Sequence, residues 1–263
     1  MAQQSRHNEW LSLVEITEPF LSVPALDAVL PDSPVQIGSA DARLVREAYT
    51  EWIEAMDAAS QTEWITLVLE RVLHLDSNVL TPPSESPDGS IAPLGTLNDS
   101  SSGRKRLMII TTDEKNELDE PVNGTQSIMT PHEAAVRSAR AGECRLILLT
   151  NGEEWRFIDA ELGRSPGWVS WRSELWVQER PTLSAFRTLL ERRRFLGVAD
   201  NETPEAILDE SLAHQEEITN QLGLQVRHAV GMLIGAIDRA DATRARELLE
   251  DVPPERLYEA CLT

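Results

Sequence analysis

Residues 145–157 read RLILLTNGEEWRF, and this stretch decides the fold class. Leu146, Ile147, Leu148 and Leu149 form an apolar run that ends in Thr150-Asn151-Gly152, and a second strand signal resumes at Trp155. Four apolar residues in succession, bounded by turn chemistry, read as a strand buried on both faces. Asn-Gly predicts a two-residue hairpin, because both central residues must accept positive φ. Upstream, Thr130-Pro131-His132-Glu133 reads as a helix start, with threonine as N-cap, proline at the first helical position and glutamate three residues after the cap. That helix is expected to run through Ala134, Val136 and Ala139 to Gly142. Helix, buried strand, tight turn and strand together are a piece of an α/β core.

Working outward, residues 106–112 (RLMIITT) offer a second short buried strand. Between the N-terminus and this strand lie two further patterns. Leu44, Val45, Ala48, Trp52, Ile53 and Met56 recur at helical spacing, followed by Trp64, Ile65, Val68, Leu69 and Val72. Ser39 or Asp41 is expected to cap the first of these helices, and residues 58–60 to separate the two. Residues 81–105 are rich in Pro, Ser, Gly and Asp and read as a loop. Beyond Pro181 the period is again helical: one helix over 182–194, a second over 203–213, and a longer one over 214–240. The last carries Ile218, Leu222, Val226, Val230, Leu233 and Ile237 on one stripe, and a short helix with Tyr258 follows Pro253-Pro254. The expected organisation is a helical segment over 1–80, a loop over 81–105, an α/β domain over 106–180 and a helical connector over 181–263. The fold class is α+β or α/β.

With 263 residues and a net charge of −20, the chain cannot present phosphates with a basic face over most of its surface. DNA contact would fall to local patches, either Arg104-Lys105-Arg106 or Arg192-Arg193-Arg194, or to basic surface elsewhere in a larger assembly. No run is long and apolar enough to span a bilayer and the N-terminus has no apolar signal region, so a cytoplasmic protein without a membrane partner is expected. The two cysteines, Cys144 and Cys261, lie far apart and show no metal-ligand spacing. Trp155, Trp168, Trp171 and Trp176 could stack on bases but are expected to form a core wall.

One constellation carries candidate chemistry. Pro87-Asp88 precedes Asp113-Glu114-Lys115, which directly follows the apolar strand. A PD-(D/E)XK nuclease needs two carboxylates on neighbouring strands to hold Mg²⁺ and a lysine to activate water. Asp88, Asp113 and Lys115 satisfy the letter pattern as candidate catalytic residues. Thr111-Thr112, however, separate Asp113 from the apolar strand, and Asp88 falls in the loop. A degenerate site that binds no metal is therefore expected.

Four stretches resemble the amino-terminal region of large class I adenine-specific DNA methyltransferases of restriction–modification and phage-defence systems, type IIG-like and DISARM-type: residues 7–26 (HNEWLSLVEITEPFLSVPAL), 148–160 (LLTNGEEWRFIDA), 183–198 (LSAFRTLLERRRFLGV) and 211–230 (SLAHQEEITNQLGLQVRHAV). The resemblance implies a small PD-(D/E)XK-like α/β core flanked by N- and C-terminal helical segments. It implies a fragment of a longer parent whose methyl-transfer domain uses S-adenosylmethionine. This chain has no Asn-Pro-Pro-aromatic motif and no Gly-rich cofactor loop, so no cofactor is expected in it. The function implied is a non-catalytic, nuclease-like module for assembly or DNA positioning, with DNA and other defence-system subunits as partners. Two alternatives stand beside it: an active Mg²⁺-dependent nuclease using Asp88, Asp113 and Lys115, and a stand-alone acidic interaction protein that mimics DNA.

Overall fold

The helix predicted from Thr130-Pro131-His132-Glu133 forms as the sequence dictates. It is α5 (Pro131–Ala141) in the computed structural model, which describes residues 7–17, 20–30, 34–82, 91, 93–122, 129–243, 253 and 256. The Thr130 side chain accepts from the Glu133 N–H, and the Glu133 carboxylate accepts from the Thr130 N–H, closing a capping box. Gly142 ends the helix. α5 connects the strands β4 (Lys105–Thr111) and β5 (Leu146–Thr150), which pair in parallel from Met108↔Ile147 to Thr111↔Thr150. Every other strand pair is antiparallel: β1 (Glu15–Ile16), β2 (Leu80–Thr81), β3 (Gly95–Asn98), β6 (Glu154–Asp159) and β7 (Gly167–Arg172) complete a seven-stranded sheet of order β1-β7-β6-β5-β4-β3-β2.

Alternation along the strands sorts the core into two layers. Leu107, Ile109, Leu146, Leu148, Trp155, Phe157, Val169 and Trp171 belong to the larger core with residues of α3 (Ser39–Ala55), α4 (Ala58–Leu67) and α7 (Arg180–Leu190). Met108, Ile110, Ile147, Leu149 and Ile158 belong to the smaller one with Ala135, Val136 and Ala139 of α5. Small residues on α5 let it sit close to the sheet, and β5 is covered on both faces, as its uninterrupted apolar run requires.

The tryptophans build the larger core. Trp52 and Trp64 stack with ring centroids 6.2 Å apart, and Trp155 and Trp176 both pack on Phe186. Trp168 differs: it is half-buried on the other face of β7.

Several local expectations are corrected. The Asn-Gly turn is not a two-residue hairpin: Thr150 pairs with Trp155, four residues intervene, and only Gly152 takes positive φ. The loop expected over 81–105 contains β3, whose short GTLN run carries too little alternation to be read. The break between the first two long helices falls at Met56, in left-handed conformation, and Asp57 caps α4; no side chain caps α3, which follows Gly38. The helix expected over 182–194 ends at Leu190, and residues Arg192–Arg194 form a separate 3-10 turn. The two helices expected over 203–240 are one, α8 (Pro204–Thr243). The helix expected after Pro253 lies outside the described residues.

Residues Met1–Leu212 form one compact unit and Ala213–Thr263 a second. In the second, Val230 is buried while Ile218, Leu222, Val226 and Leu233 of the predicted stripe are exposed. No helix among the described residues is long and apolar enough to cross a membrane.

Candidate functional site

In α/β sheets, ligands bind beyond the carboxyl ends of parallel strands. Here those ends belong to β4 and β5, and the crevice between them is occupied by the protein's own amides. The Gln61 side chain of α4 donates to the carbonyls of Thr112 (3.0 Å) and Asn151 (2.6 Å). Asn151 donates to the Asn116 carbonyl, and Asn116 donates to the Thr112 hydroxyl. The Asn151 carboxamide oxygen accepts from the N–H groups of Glu153 and Glu154, which fixes the turn. The Gly152 carbonyl accepts from Trp64 Nε1 (2.8 Å), Trp155 Nε1 (3.0 Å) and Ser173 Oγ (2.7 Å). The turn is thus latched to α4, β6 and the residue that opens α6 (Ser173–Gln178).

Asp113 and Lys115 lie in the exposed turn just past β4 and not within the strand. The Asp113 carboxylate accepts from the Lys115 backbone N–H, and the Lys115 ammonium lies 3.9 Å from the neighbouring Glu114 carboxylate. The Asp113 carboxylate is engaged within its own turn, whereas the Lys115 side chain is 81% exposed. Asp88 lies outside the described residues. Among the described residues, no group of three or more His, Cys, Asp or Glu is placed to hold a metal ion.

The two basic runs, far apart in sequence, are linked at one point, where Arg106 reaches Phe195, the residue that follows Arg194. Arg106 donates through Nε to the Phe195 carbonyl, and both Arg104 and Arg106 approach the buried Glu205 carboxylate. Arg193 pairs with the buried Glu191, Arg194 donates to the Thr188 carbonyl, and Lys105 donates to the Gly142 carbonyl. Arg106 is therefore a buried anchor and cannot reach DNA, and burial pulls the Arg194 guanidinium below its ordinary value. The exposed members of the runs are Arg104, Lys105, Arg192 and Arg193.

Sequence reading missed a third cluster, on the face of β6 and β7 that also carries Ile158 of the smaller core. Arg156 is buried with its guanidinium held by both oxygens of Asp119 (2.6 Å each) and by Glu154 (2.7 Å), and it lies 3.9 Å over the Trp168 ring. Ser170 donates to Glu154, and the Arg156 guanidinium also reaches His132 Nδ1 at 3.3 Å. The signal was present: Glu154 and Arg156 alternate with Trp155 and Phe157, placing two charges on one strand face in line with Ile158. Burial, and then the Arg156 charge, hold the His132 imidazole below its ordinary value of 6.5, while hydrogen bonds from Arg156 hold the Asp119 carboxyl below its own.

A pH dependence follows from His132. The unfolded chain takes up a proton as pH falls through 6.5, whereas the folded chain, with its lowered value, does so only further down. This contribution to stability is complete above pH 6.5 and declines as the solution becomes more acidic. Urea midpoints of the wild type and His132→Asn should diverge less at about pH 5 than at pH 7. An unchanged difference would count against the neutral buried imidazole.

In comparisons with known proteins, no protein family, curated protein or solved structure matches the chain.

Proposed function

We propose that this chain is a nuclease-like but non-catalytic amino-terminal module of a cytoplasmic adenine-specific DNA methyltransferase of a restriction–modification or phage-defence system. Its role is to position DNA or to assemble with other subunits. The observation that carries the reading is the strand order. The antiparallel β2-β3-β4 meander runs through α5 into β5, parallel to β4, and this order supports a PD-(D/E)XK outline. Two further features favour a decayed site over a working one. Asp113 lies past the strand and accepts from the backbone of its own turn, and Gln61, Asn116 and Asn151 fill the crevice where substrate would enter. S-adenosylmethionine chemistry would belong to the parent's methyl-transfer domain. DNA would meet this module at Arg104, Lys105, Arg192 and Arg193, the exposed members of the two basic runs.

The test pairs binding with cleavage. Fluorescence anisotropy with a short duplex should show weak binding that steepens at low salt. Arg192→Ser and Arg193→Ser should each lower the slope of log affinity against log salt by about one. Plasmid incubated with Mg²⁺ or Mn²⁺ should stay intact, and Lys115→Ala should behave as the wild type. Cleavage that disappears in Lys115→Ala would establish an active nuclease and overturn the proposal. Binding insensitive to both arginine substitutions would remove DNA from this surface.

A further inference from the structure

The second unit carries an apolar surface of its own. On α8, Ile218, Leu222, Val226 and Leu233 are between 41% and 55% exposed. Single exposed apolar residues are ordinary, but four in line along one helix mark an interaction surface. They share one stripe with Ala229 and the half-buried Ile237. At 1.5 Å per residue the stripe is roughly 28 Å long. Val230 and Asp241, to one side of it, are buried, whereas Gln221, Gln225 and Arg239, to the other, are exposed.

The pattern of the stripe identifies its occupant. Its spacings of 4, 4, 3, 4 and 4 residues read the same in both directions, and each end is an isoleucine followed inward by a leucine. A two-fold interface demands this reciprocity, since each residue must meet the same partner from both copies. A second α8 laid antiparallel, with the axis between Arg227 and His228, matches every position. Ile218 meets Ile237, Leu222 meets Leu233, and Val226 meets Ala229, each pair twice. At the centre a large side chain then faces a small one, so the layers interlock.

Charge fixes the direction. Glu217 and Arg239 lie on the exposed flank, and neither makes an ion pair among the described residues. Gln221 donates to the Glu217 carboxylate at 3.2 Å, which draws it toward the stripe. In the antiparallel arrangement Glu217 comes level, to within one residue, with Arg239 of the second copy, and this happens at both ends. A parallel arrangement would set like charges against each other at the same two places. On the other flank Glu216 comes level with Asp238, which is already engaged within its own chain. Covering the stripe on both copies removes on the order of 1,000 Å² of surface, the lower limit for a specific interface, so association is weak.

We infer that α8 pairs antiparallel with α8 of a second copy along residues 218–237, making the protein a weak homodimer. The inference is independent of the DNA reading above.

Sedimentation velocity on the full chain, from about 1 to 200 µM, tests it. The mass should rise with concentration from that of one chain toward that of two. Leu222→Glu and Leu233→Glu should each weaken association roughly tenfold or more, because each would bury a charge. Both sites are exposed, and far-UV circular dichroism should show the fold unchanged. Glu217→Arg and Arg239→Glu should each weaken association about fivefold. The double exchange Glu217→Arg/Arg239→Glu should restore it, an outcome that only the antiparallel register gives. A chain monomeric at every concentration overturns the inference and leaves the stripe to a different protein. So does a dimer indifferent to both leucine variants, whose interface would lie elsewhere. A dimer unaffected by both single charge reversals overturns the antiparallel register.

Discussion

Replacing Gly152 with alanine is expected to destabilise the protein by about 3 kcal/mol, roughly 10 °C in melting temperature for a unit of this size. Two effects add. Gly152 has φ +93°, a conformation that a side chain strains, and a Cβ there would lie 3.1 Å and 3.2 Å from two ring carbons of Trp52. Trp52 cannot yield easily, because it is stacked on Trp64, whose own indole N–H is held by the Gly152 carbonyl. Gly103 separates the two effects. It also has positive φ (+69°) but nothing lies within 4 Å of a Cβ built there, so Gly103→Ala should cost about 1 kcal/mol, from strain alone. Urea unfolding of both variants checks this. Equal losses would mean that the Trp52 contact relaxes freely and the turn is not latched as described.

Removing the buried guanidinium should be comparably damaging. Arg156→Leu is expected to cost about 3 kcal/mol, since it strands Glu154 in a site where only 14% of its side chain is exposed. Asp119 adds little to the loss, because its side chain is 65% exposed and regains water. The double variant Arg156→Leu/Glu154→Leu should recover most of the stability, as an apolar pair of similar volume replaces a desolvated ion pair. Arg156→Lys should fall between, because one ammonium cannot satisfy two carboxylates and stack on Trp168 as a planar guanidinium does. If the double variant were as unstable as Arg156→Leu, the cost would lie in packing and not in the stranded charge.

Both predictions rest on residues of the stretch RLILLTNGEEWRF, which was only partly readable. The double-sided burial of Leu146–Leu149 and the capping box of α5 were legible because each is local: an apolar run cannot face water, and a cap needs only its own first turn. β3 was not legible. Its four residues have no strong pattern, and it is a strand because β4 offers it a free edge. Asn-Gly misled for a related reason: its intrinsic preference for a tight turn is overridden by the three donors that converge on the Gly152 carbonyl. The candidate catalytic residues were found by letters that carry no information on strand ends. Asp113 and Lys115 sit just past β4, where the pattern requires them inside it. The basic runs were recognised, but their fate was not, since nothing in the sequence places Glu205 beside Arg106 or Glu191 beside Arg193.

The sequence by itself determined the mixed α/β class, the buried central strand, the start and end of α5 and the net charge of −20. These follow from short-range physics: periodicity, capping and net charge act within a few residues or over the whole chain at once. Only the tertiary structure decided that Gln61 and Asn116 close the crevice at β4 and β5, that Arg156 is a buried anchor, and that Arg106 reaches the residue following the second arginine run. Each of these depends on which side chains the sheet order brings within hydrogen-bond or van der Waals distance, and at those distances a few ångströms decide whether a polar group is satisfied, stranded or free to bind.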